Sequence, residues 1–409
     1  MNRYLTDPRK ILTILATAVA STTASQGAHE HHIAAGYSHS LAVKANGQVW
    51  AWGDNNVGQL GIGTSPTGSL SPVQAGSLTN AISVAAGNYH SMALTSDKKL
   101  YTWGYNDSGV LGNATSTDSY VPVHISALTN VVSIGAGDFH SMAVLANGNL
   151  YTWGDNAAGQ LGDGLTANRN APYHVSAISN VVAADGGSHH TIALKANGEV
   201  WSWGYNGYGV LGNGTYVDST TPVQSTTPGL GPAKAIAAGT NHSLLLTTTG
   251  EVWAWGVGGA IGDGGTSSCN VPTKITTLSN VVAISAGLNY SLAVTADGKV
   301  WGWGDNFAGQ LDNSGVDALT PIQISGLSTD GSEVAAGAYH SLEIQQDGDI
   351  EAWGSGYNGE LGDGLGTSSN VPVTVAGGGG YVSSPVGGAL AAWHAGHADP
   401  PAQSLFVAY

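Results

Sequence analysis

The sequence contains a single cysteine, Cys269, among 409 residues. One thiol cannot form an internal disulfide, so a monomer of this chain must gain its stability from packing. We interpret Cys269 as a structural residue, because free cysteines usually pack as small hydrophobic side chains, and a reactive thiol is the alternative.

Positive charge is scarce. Lys and Arg number 11 against 27 Asp and Glu, and the formal net charge is −16. An acidic surface repels the phosphate backbone, and binding of nucleic acid needs clustered Lys and Arg. The composition therefore predicts no nucleic-acid partner. The sequence shows no P-loop, Cys-x-x-Cys pair or His-Glu-x-x-His motif, and we predict no cofactor.

No long apolar run predicts a membrane span. The apolar residues 11–20 follow Arg3, Arg9 and Lys10 and precede small residues, which is the arrangement of a secretory signal peptide. This run is shorter than the roughly 20 residues of a transmembrane helix. We predict a leader over residues 1–28 and export to the extracellular space or the cell envelope. A disordered N-terminal tail is the alternative.

Glycine is abundant, with 61 residues, and it marks a repeat. A glycine three residues before a histidine or tyrosine recurs at Gly36, Gly87, Gly137, Gly187, Gly239, Gly287 and Gly337. Each copy has short apolar runs, a turn dipeptide such as Asn46-Gly47 that predicts a type I′ hairpin, and a last run with proline. Seven copies of about four strands each predict an all-β, seven-bladed β-propeller with antiparallel strands over residues 29–375. A linear solenoid is the competing architecture.

The second copy reads AAGNYHSMAL, then LYTWGYNDSGVLG, then PV, and the other copies vary this pattern. The pattern resembles the regulator of chromosome condensation (RCC1) repeat over residues 33–375. The resemblance implies a seven-bladed propeller. Members of that family include exchange and chromatin factors, ubiquitin-ligase modules and secreted bacterial inhibitors of β-lactamases, which share a rigid disc that binds another macromolecule. Export and acidity favour a member of the secreted bacterial type.

Histidine and tryptophan each occupy one position in nearly every copy. The histidines are His39, His90, His140, His190, His242 and His340, with Tyr290 in the sixth copy. Equivalent positions of a ring are spread around it, whereas a zinc site needs convergent ligands, so we predict a structural role and no metal. The tryptophans are Trp52, Trp103, Trp153, Trp203, Trp255, Trp303 and Trp353, and we expect them in the core between blades.

The two residues before each histidine differ from copy to copy. Loops that vary on a rigid scaffold carry function, and aromatic residues are enriched at protein interfaces. We therefore predict a binding face at Tyr37, Tyr89, Phe139, His189 and Tyr339. The predicted function is a secreted, non-enzymatic and monomeric scaffold for a protein partner or a surface glycan. Aromatic filler at the rim of the channel is the alternative for these rings.

Three carboxylates break the repeat pattern: Asp185, Glu343 and Glu351. They raise the alternative of a polysaccharide lyase or hydrolase with its site in the propeller cleft. A two-residue Asp347-Gly348 turn would place Glu343 opposite residue 352, so that the two glutamates point to opposite faces. We therefore predict no catalytic pair. Asp185 has no partner that the sequence identifies.

The ends of the chain leave the repeat. Residues 377–380 predict a flexible hinge, and we propose that part of the tail 376–409 completes the first blade, since a closed propeller leaves no strand edge exposed. A disordered tail is the alternative. His29, His31 and His32 with His394 and His397 suggest a composite zinc or copper site, but unstructured termini are favoured.

Overall fold

A computed structural model describes residues 31–63, 67–226, 231–312, 314–377 and 379–382. Its strands form seven four-stranded antiparallel sheets, each built from one repeat. Each sheet is one blade, and the blades close into a ring, which confirms the predicted propeller and excludes the solenoid. Within this part of the chain no helix is long and apolar enough to cross a bilayer.

Every blade has the same strand order, from an inner strand beside the central channel to an outer strand. Blade 1 contains β1 (Ile33–Ala35), β2 (His39–Val43), β3 (Val49–Gly53) and β4 (Ser69–Gln74). Blade 2 contains β5 (Ala81–Ala86), β6 (His90–Thr95), β7 (Leu100–Gly104) and β8 (Ser119–His124). Blade 3 contains β9 (Val131–Ala136), β10 (His140–Leu145), β11 (Leu150–Gly154) and β12 (Arg169–His174). Blade 4 contains β13 (Val181–Gly186), β14 (His190–Lys195), β15 (Val200–Gly204) and β16 (Ser219–Gln224).

The remaining three blades continue the pattern. Blade 5 contains β17 (Ala233–Ala238), β18 (His242–Thr247), β19 (Val252–Gly256) and β20 (Cys269–Lys274). Blade 6 contains β21 (Val281–Ala286), β22 (Tyr290–Thr295), β23 (Val300–Gly304) and β24 (Ala318–Gln323). Blade 7 contains β25 (Gly331–Ala336), β26 (His340–Gln345), β27 (Ile350–Gly354) and β28 (Ser369–Thr374). The proline-marked runs are the outer strands, where a missing N–H costs no ladder bond.

The turn between the second and third strands differs from the predicted type I′ turn. In blade 1 the Lys44 amide bonds to Gln48 O (2.9 Å) and the Gly47 amide to Lys44 O (2.7 Å), which encloses a three-residue loop. Only Gly47 has a positive φ, +76°, and Asn46 does not. A three-residue loop with one left-handed glycine is the other common hairpin connection.

That extra loop residue corrects the register of blade 7. Glu343 pairs directly with Glu351, and Ile344 pairs with Ile350. Cross-strand partners share a face of the sheet, so the prediction that the two carboxylates point to opposite faces was wrong. The cause is the turn length, because one residue more in the loop moves every side chain to the other face.

A belt of side-chain hydrogen bonds joins each blade to the next. His39 Nε2 lies 2.9 Å from Ser91 Oγ, and that hydroxyl donates to Gln59 O at 2.8 Å. Because the hydroxyl proton is used there, we assign His39 Nε2 as the donor to Ser91. Trp103 Nε1 donates to the same carbonyl at 2.9 Å. The predicted structural role of the histidines and the packing role of the tryptophans are thereby confirmed.

The belt closes without a gap. His340 Nε2 lies 2.9 Å from Ser40 Oγ, which joins blade 7 to blade 1. In blade 6 the Tyr290 hydroxyl replaces the histidine, donating to His340 O and accepting from Ser341 Oγ (3.1 Å). The seven tryptophans of the belt are fully buried, and the apolar clusters lie between adjacent blades. The core is therefore a ring of inter-blade interfaces.

The end of the described chain contacts blade 1. Tyr381 forms an isolated antiparallel bridge with Lys44, and the Val382 amide bonds to Val43 O at 2.9 Å. In blade 2 the corresponding place beside Thr95 belongs to Ala81, the first residue of the inner strand β5. Strand β1 is shorter than β5 and does not reach the corresponding position beside Lys44, and Tyr381 occupies that position in blade 1. The rest of the predicted tail and the leader 1–28 lie outside the described residues.

Candidate protein-interaction face

The two ends of the ring are built from different loops. The connections from first to second strand and from third to fourth strand lie together at one end, which we call the loop face. Backbone bonds join them within a blade, as from the Asp54 amide to Ser38 O (2.7 Å) and from the Tyr105 amide to Tyr89 O (3.0 Å). The glycine turns between second and third strands lie at the opposite end, the turn face.

Four of the five predicted binding residues come together on the loop face. The Tyr37 ring centroid lies 5.6 Å from that of Tyr89 and 5.8 Å from that of Tyr339, and Tyr89 lies 6.1 Å from Phe139. Tyr105 joins them, 6.3 Å from Tyr89 and 6.1 Å from Phe139. We call these five rings the aromatic cluster. It spans blades 7, 1, 2 and 3, and its rings are half-buried.

His189 and Tyr105 are the two departures from the sequence prediction. His189 is exposed in blade 4, with Nδ1 2.7 Å from Ser188 Oγ, and it lies close enough to the Asp138 carboxyl to affect the pKa of that carboxyl. It therefore lies beside the aromatic cluster rather than within its ring contacts. Tyr105 was missed because it belongs to the other loop. The sequence did contain an indication of Tyr105, because several copies have Asp after Trp-Gly where the second copy has tyrosine.

Carboxylates surround the aromatic cluster. Burial raises the pKa of Tyr89, and the neighbouring Tyr37, Asp54 and Asp138 raise it further. Burial likewise raises the pKa of Tyr105, with the charges of Asp107 and Asp118 adding to the effect. The rings of this face therefore lie in a negative field.

The two most exposed aromatic residues of the described chain also lie on the loop face, beyond the cluster. Phe307 is 84% exposed and Tyr357 is 78% exposed, and they occupy equivalent places in the third-to-fourth-strand loops of blades 6 and 7. Isolated exposed hydrophobic residues are ordinary, but rings of this size on the same face as a cluster mark a candidate interface.

The central channel encloses about 150 Å³ and is lined by the inner strands of all seven blades. Asp185 lies on its wall. Its Oδ2 accepts the Ala238 amide of the next blade at 2.9 Å, and its Oδ1 accepts the Gly186 amide at 2.9 Å. Ser285 makes the same inter-blade contact to the Ala336 amide at 3.0 Å. Asp185 thus accepts a hydrogen bond from a backbone N–H of the neighbouring inner strand, which is a structural role.

A second carboxylate joins blades 7 and 1 at the channel. Glu333 Oε1 accepts the His32 amide at 3.0 Å, and Glu333 Oε2 lies 3.2 Å from His32 Nδ1. His31 Nδ1 lies 3.5 Å from Glu333 Oε1. Burial lowers the pKa of His31, but the hydrogen bond and charge of Glu333 outweigh burial and the net pKa is raised. His29, His394 and His397 lie outside the described residues. Within the described ranges no group of three or more histidine, cysteine or acidic side chains could hold a metal ion.

The Glu343–Glu351 pair lies at the blade 6–7 interface, away from the loop face. Glu343 is fully buried, and among the described residues neither of its carboxyl oxygens has a hydrogen-bond partner of ordinary geometry. Burial raises its pKa to about 8, with repulsion from Asp330 and Glu351 adding to the effect. Glu351 is half-buried and accepts the Thr374 hydroxyl at 2.8 Å. A carboxyl without solvent access cannot reach a polysaccharide, so this geometry supports no catalytic pair.

Comparison with protein families gives a consistent result. The profile of the RCC1-like domain matches residues 9–260, which is more than half of the chain. Profiles of the regulator of chromosome condensation (RCC1) repeat match residues 249–294, 297–344 and 281–310. Together these matches extend over six of the seven blades and into the seventh.

Individual relatives and structures agree. The probable E3 ubiquitin-protein ligase HERC6 of Homo sapiens is 43% identical over 82 residues, which are 20% of this chain and 8% of that protein. The crystal structure of human WBSCR16 is 25% identical with a TM-score of 0.69, covering 76% of this chain and 86% of that one. Yeast RCC1 (Prp20), solved bound to Kap60, is 22% identical with a TM-score of 0.72, covering 97% and 99%. This chain spans less than a tenth of HERC6, and the likeness to yeast RCC1 shows the fold alone.

Proposed function

The chain belongs to the family of the RCC1-like domain, and from that premise we propose that it is a non-enzymatic scaffold that binds a protein partner through its loop face. The observation that carries the proposal is the aromatic cluster, five rings from blades 7, 1, 2 and 3 within 6.3 Å of a neighbour. Tyrosine and other large aromatic residues dominate the energetics of protein interfaces.

The architecture suits a binding scaffold. A stable interface needs roughly 800 Å² from each partner, which a flat propeller face can supply. The loops vary between blades while the belt beneath them repeats, so the face can be specific without altering the fold. Yeast RCC1 (Prp20), which shares this fold, was crystallised with the protein Kap60, and that precedent supports a protein partner.

We extend the proposal to the setting in which the scaffold works. The basic and apolar residues before position 21 support export, and the acidity of the chain supports an extracellular, monomeric member of the secreted bacterial type. A surface glycan remains the second class of partner, since exposed rings such as Phe307 and Tyr357 can stack on sugars. Detection of the processed chain outside the producing cell tests the export.

The function is tested by capture of proteins from the producer with three forms of the chain. These are the wild type, the face variant Tyr89→Ala with Phe139→Ala, and a matched control, Tyr101→Ala with Tyr151→Ala. The control rings belong to the same two blades but lie near the turn face, in ring contact with His124 and His174. Quantitative mass spectrometry and thermal melting are recorded for each form.

We expect a saturable protein partner whose recovery falls at least about tenfold with the face variant, because two central aromatic anchors are each worth roughly 1–2 kcal/mol or more. The control should keep the partner. Equal recovery by the face variant and the wild type would exclude the aromatic cluster as the binding site. An unchanged melting temperature would show that a loss of binding reflects lost contacts and not loss of the fold.

A further inference from the structure

We propose that the loop face binds an arginine-rich segment of its partner protein, with guanidinium groups lying between the rings of the aromatic cluster and the surrounding carboxylates. This inference rests on the proposed function, because it names the chemistry of the partner at the same face.

Charge is divided unequally between the two faces. The loops of the loop face carry the acidic residues Asp54, Asp107, Asp118, Asp138, Asp155, Asp163, Asp218, Asp263, Asp305, Asp312, Asp317, Glu360 and Asp363. Among the described residues the cation of this face is Arg169, whose Nε lies 2.6 Å from Asp163 Oδ2 and is thereby neutralised. The lysines of the described ranges lie on the turn face or at the strand ends beside it: Lys44, Lys98, Lys99, Lys195, Lys234, Lys274 and Lys299.

Outside blade 7, by contrast, four lysines of the turn face pair with neighbouring carboxylates, whereas in blade 7 Asp330 and Glu351 repel Glu343. Lys99 Nζ lies 2.6 Å from Asp97, and Lys299 Nζ lies 2.6 Å from Asp297. On the loop face, carboxylates instead stand beside one another: the charge of Asp107 raises the pKa of Asp118 after burial, and that of Asp317 raises the pKa of Asp305 after burial. Like charges left adjacent without a cation favour a cationic ligand.

Rings and carboxylates alternate across this surface. Tyr89 lies near Asp54 and Asp138, and Tyr339 near Asp305. A guanidinium group stacks on an aromatic face while its N–H groups bind a carboxylate in a fork, which an ammonium group matches less well. Arginine is therefore the side chain that uses both features at once.

The channel mouth offers the deepest of these positions. Asp138 lines the channel together with Asn88 and Thr240 at its loop-face end. Burial raises the pKa of the Asp138 carboxyl, against the effect of its contacts with Ser188, His189 and Asn88. A cationic side chain entering beside Phe139, the next residue, would meet this carboxylate directly. Nucleic acid and anionic membranes would instead be repelled by the face.

The test uses fluorescence anisotropy with two labelled peptides, one with four arginines in a Gly-Ser spacer and one with four glutamates in the same spacer. The proteins are the full chain, Asp107→Asn with Asp138→Asn on the loop face, and Asp97→Asn with Asp347→Asn on the turn face. Both double variants remove the same formal charge, so net charge is matched. Titrations are made at low and at high NaCl.

We expect the arginine peptide to bind the wild type and to bind more weakly as salt rises, because salt screens ion pairs at or near the protein surface. The loop-face variant should bind about threefold to tenfold more weakly, the worth of two such pairs, while the turn-face variant stays within about twofold. Binding no tighter than that of the glutamate peptide, or equal weakening by both variants, would overturn the proposal. If the arginine peptide fails while the aromatic face variant still loses its protein partner, the scaffold function stands and only the partner chemistry is wrong.

Discussion

The inter-blade belt and the loop face use aromatic residues in opposite ways. In the belt, one fully buried tryptophan recurs in every blade. Its N–H binds a carbonyl of the preceding blade that also accepts the serine or threonine hydroxyl of the tryptophan's own blade, as Trp103 and Ser91 both do with Gln59 O. On the loop face, the rings belong to some blades and not to others, and they are half-buried or exposed. Residues that recur in every blade hold the ring together, whereas residues found in only some blades are available to bind a partner.

The largest effect should come from the belt. Trp153→Ala removes a fully buried indole and its hydrogen bond to Val110 O (2.8 Å). We expect a loss of about 3–5 kcal/mol in the free energy of unfolding, as for other large-to-small changes in cores. Urea unfolding measures it.

The matched case is Tyr89→Ala on the loop face, for which we expect a loss of less than about 1.5 kcal/mol in the free energy of unfolding, the usual worth of an aromatic pair. Equal losses for Trp153 and Tyr89 would break the comparison, because the face would then be part of the folding core.

Glu343 is an exception to this comparison, because it occurs in one blade only and is nevertheless fully buried. Its pKa is about 8, above the ordinary 4.5, so the folded chain keeps this proton while the unfolded chain loses it. The wild type should therefore lose stability as pH rises from about 4.5 to 8, by on the order of a few kcal/mol. Glu343→Gln cannot ionise and should show a flatter profile.

Urea midpoints at pH 5 and pH 8 measure the difference. Glu351→Gln removes only part of the repulsion on Glu343, so it should reduce the pH dependence less than Glu343→Gln does. The gap between wild type and Glu343→Gln should widen toward pH 8. Parallel profiles would show that Glu343 titrates normally in the folded chain.

Within the belt, a smaller effect than that of Trp153 should come from Tyr290, which stands where the other blades have histidine. Tyr290→Phe keeps the ring but removes the hydroxyl that donates to His340 O and accepts from Ser341. We expect a cost of about 1–2 kcal/mol, the usual worth of buried hydrogen bonds. Thermal melting should register it. A neutral result would mean that the belt hydrogen bonds contribute little beyond packing.

The sequence was sufficient to predict the ring because its signals are repeated. The glycine before the histidine, the tryptophan and the outer proline each recur at one spacing, so seven weak patterns reinforce one another. Equivalent loops of neighbouring blades lie side by side in a propeller. For this reason the sequence was sufficient to group Tyr37, Tyr89, Phe139 and Tyr339.

What could not be predicted depends on single-residue geometry. Asn-Gly dipeptides occur in both two-residue and three-residue hairpins, so the sequence did not determine whether Glu343 and Glu351 share a face. Asp185 finds its partner, the Ala238 amide, only through the packing of two inner strands. Tyr105 joins the aromatic cluster because two separate loops of one blade meet.

The closure of the belt from His340 to Ser40 has a consequence for how the molecule comes apart. In an open array the terminal repeats have one neighbour each, so they fray first and melting spreads inward. A closed ring has no terminal repeat: releasing any blade breaks two joints at once. The closed topology therefore makes unfolding cooperative. A force that a partner applies to one loop is distributed over the whole ring rather than over the nearest repeat.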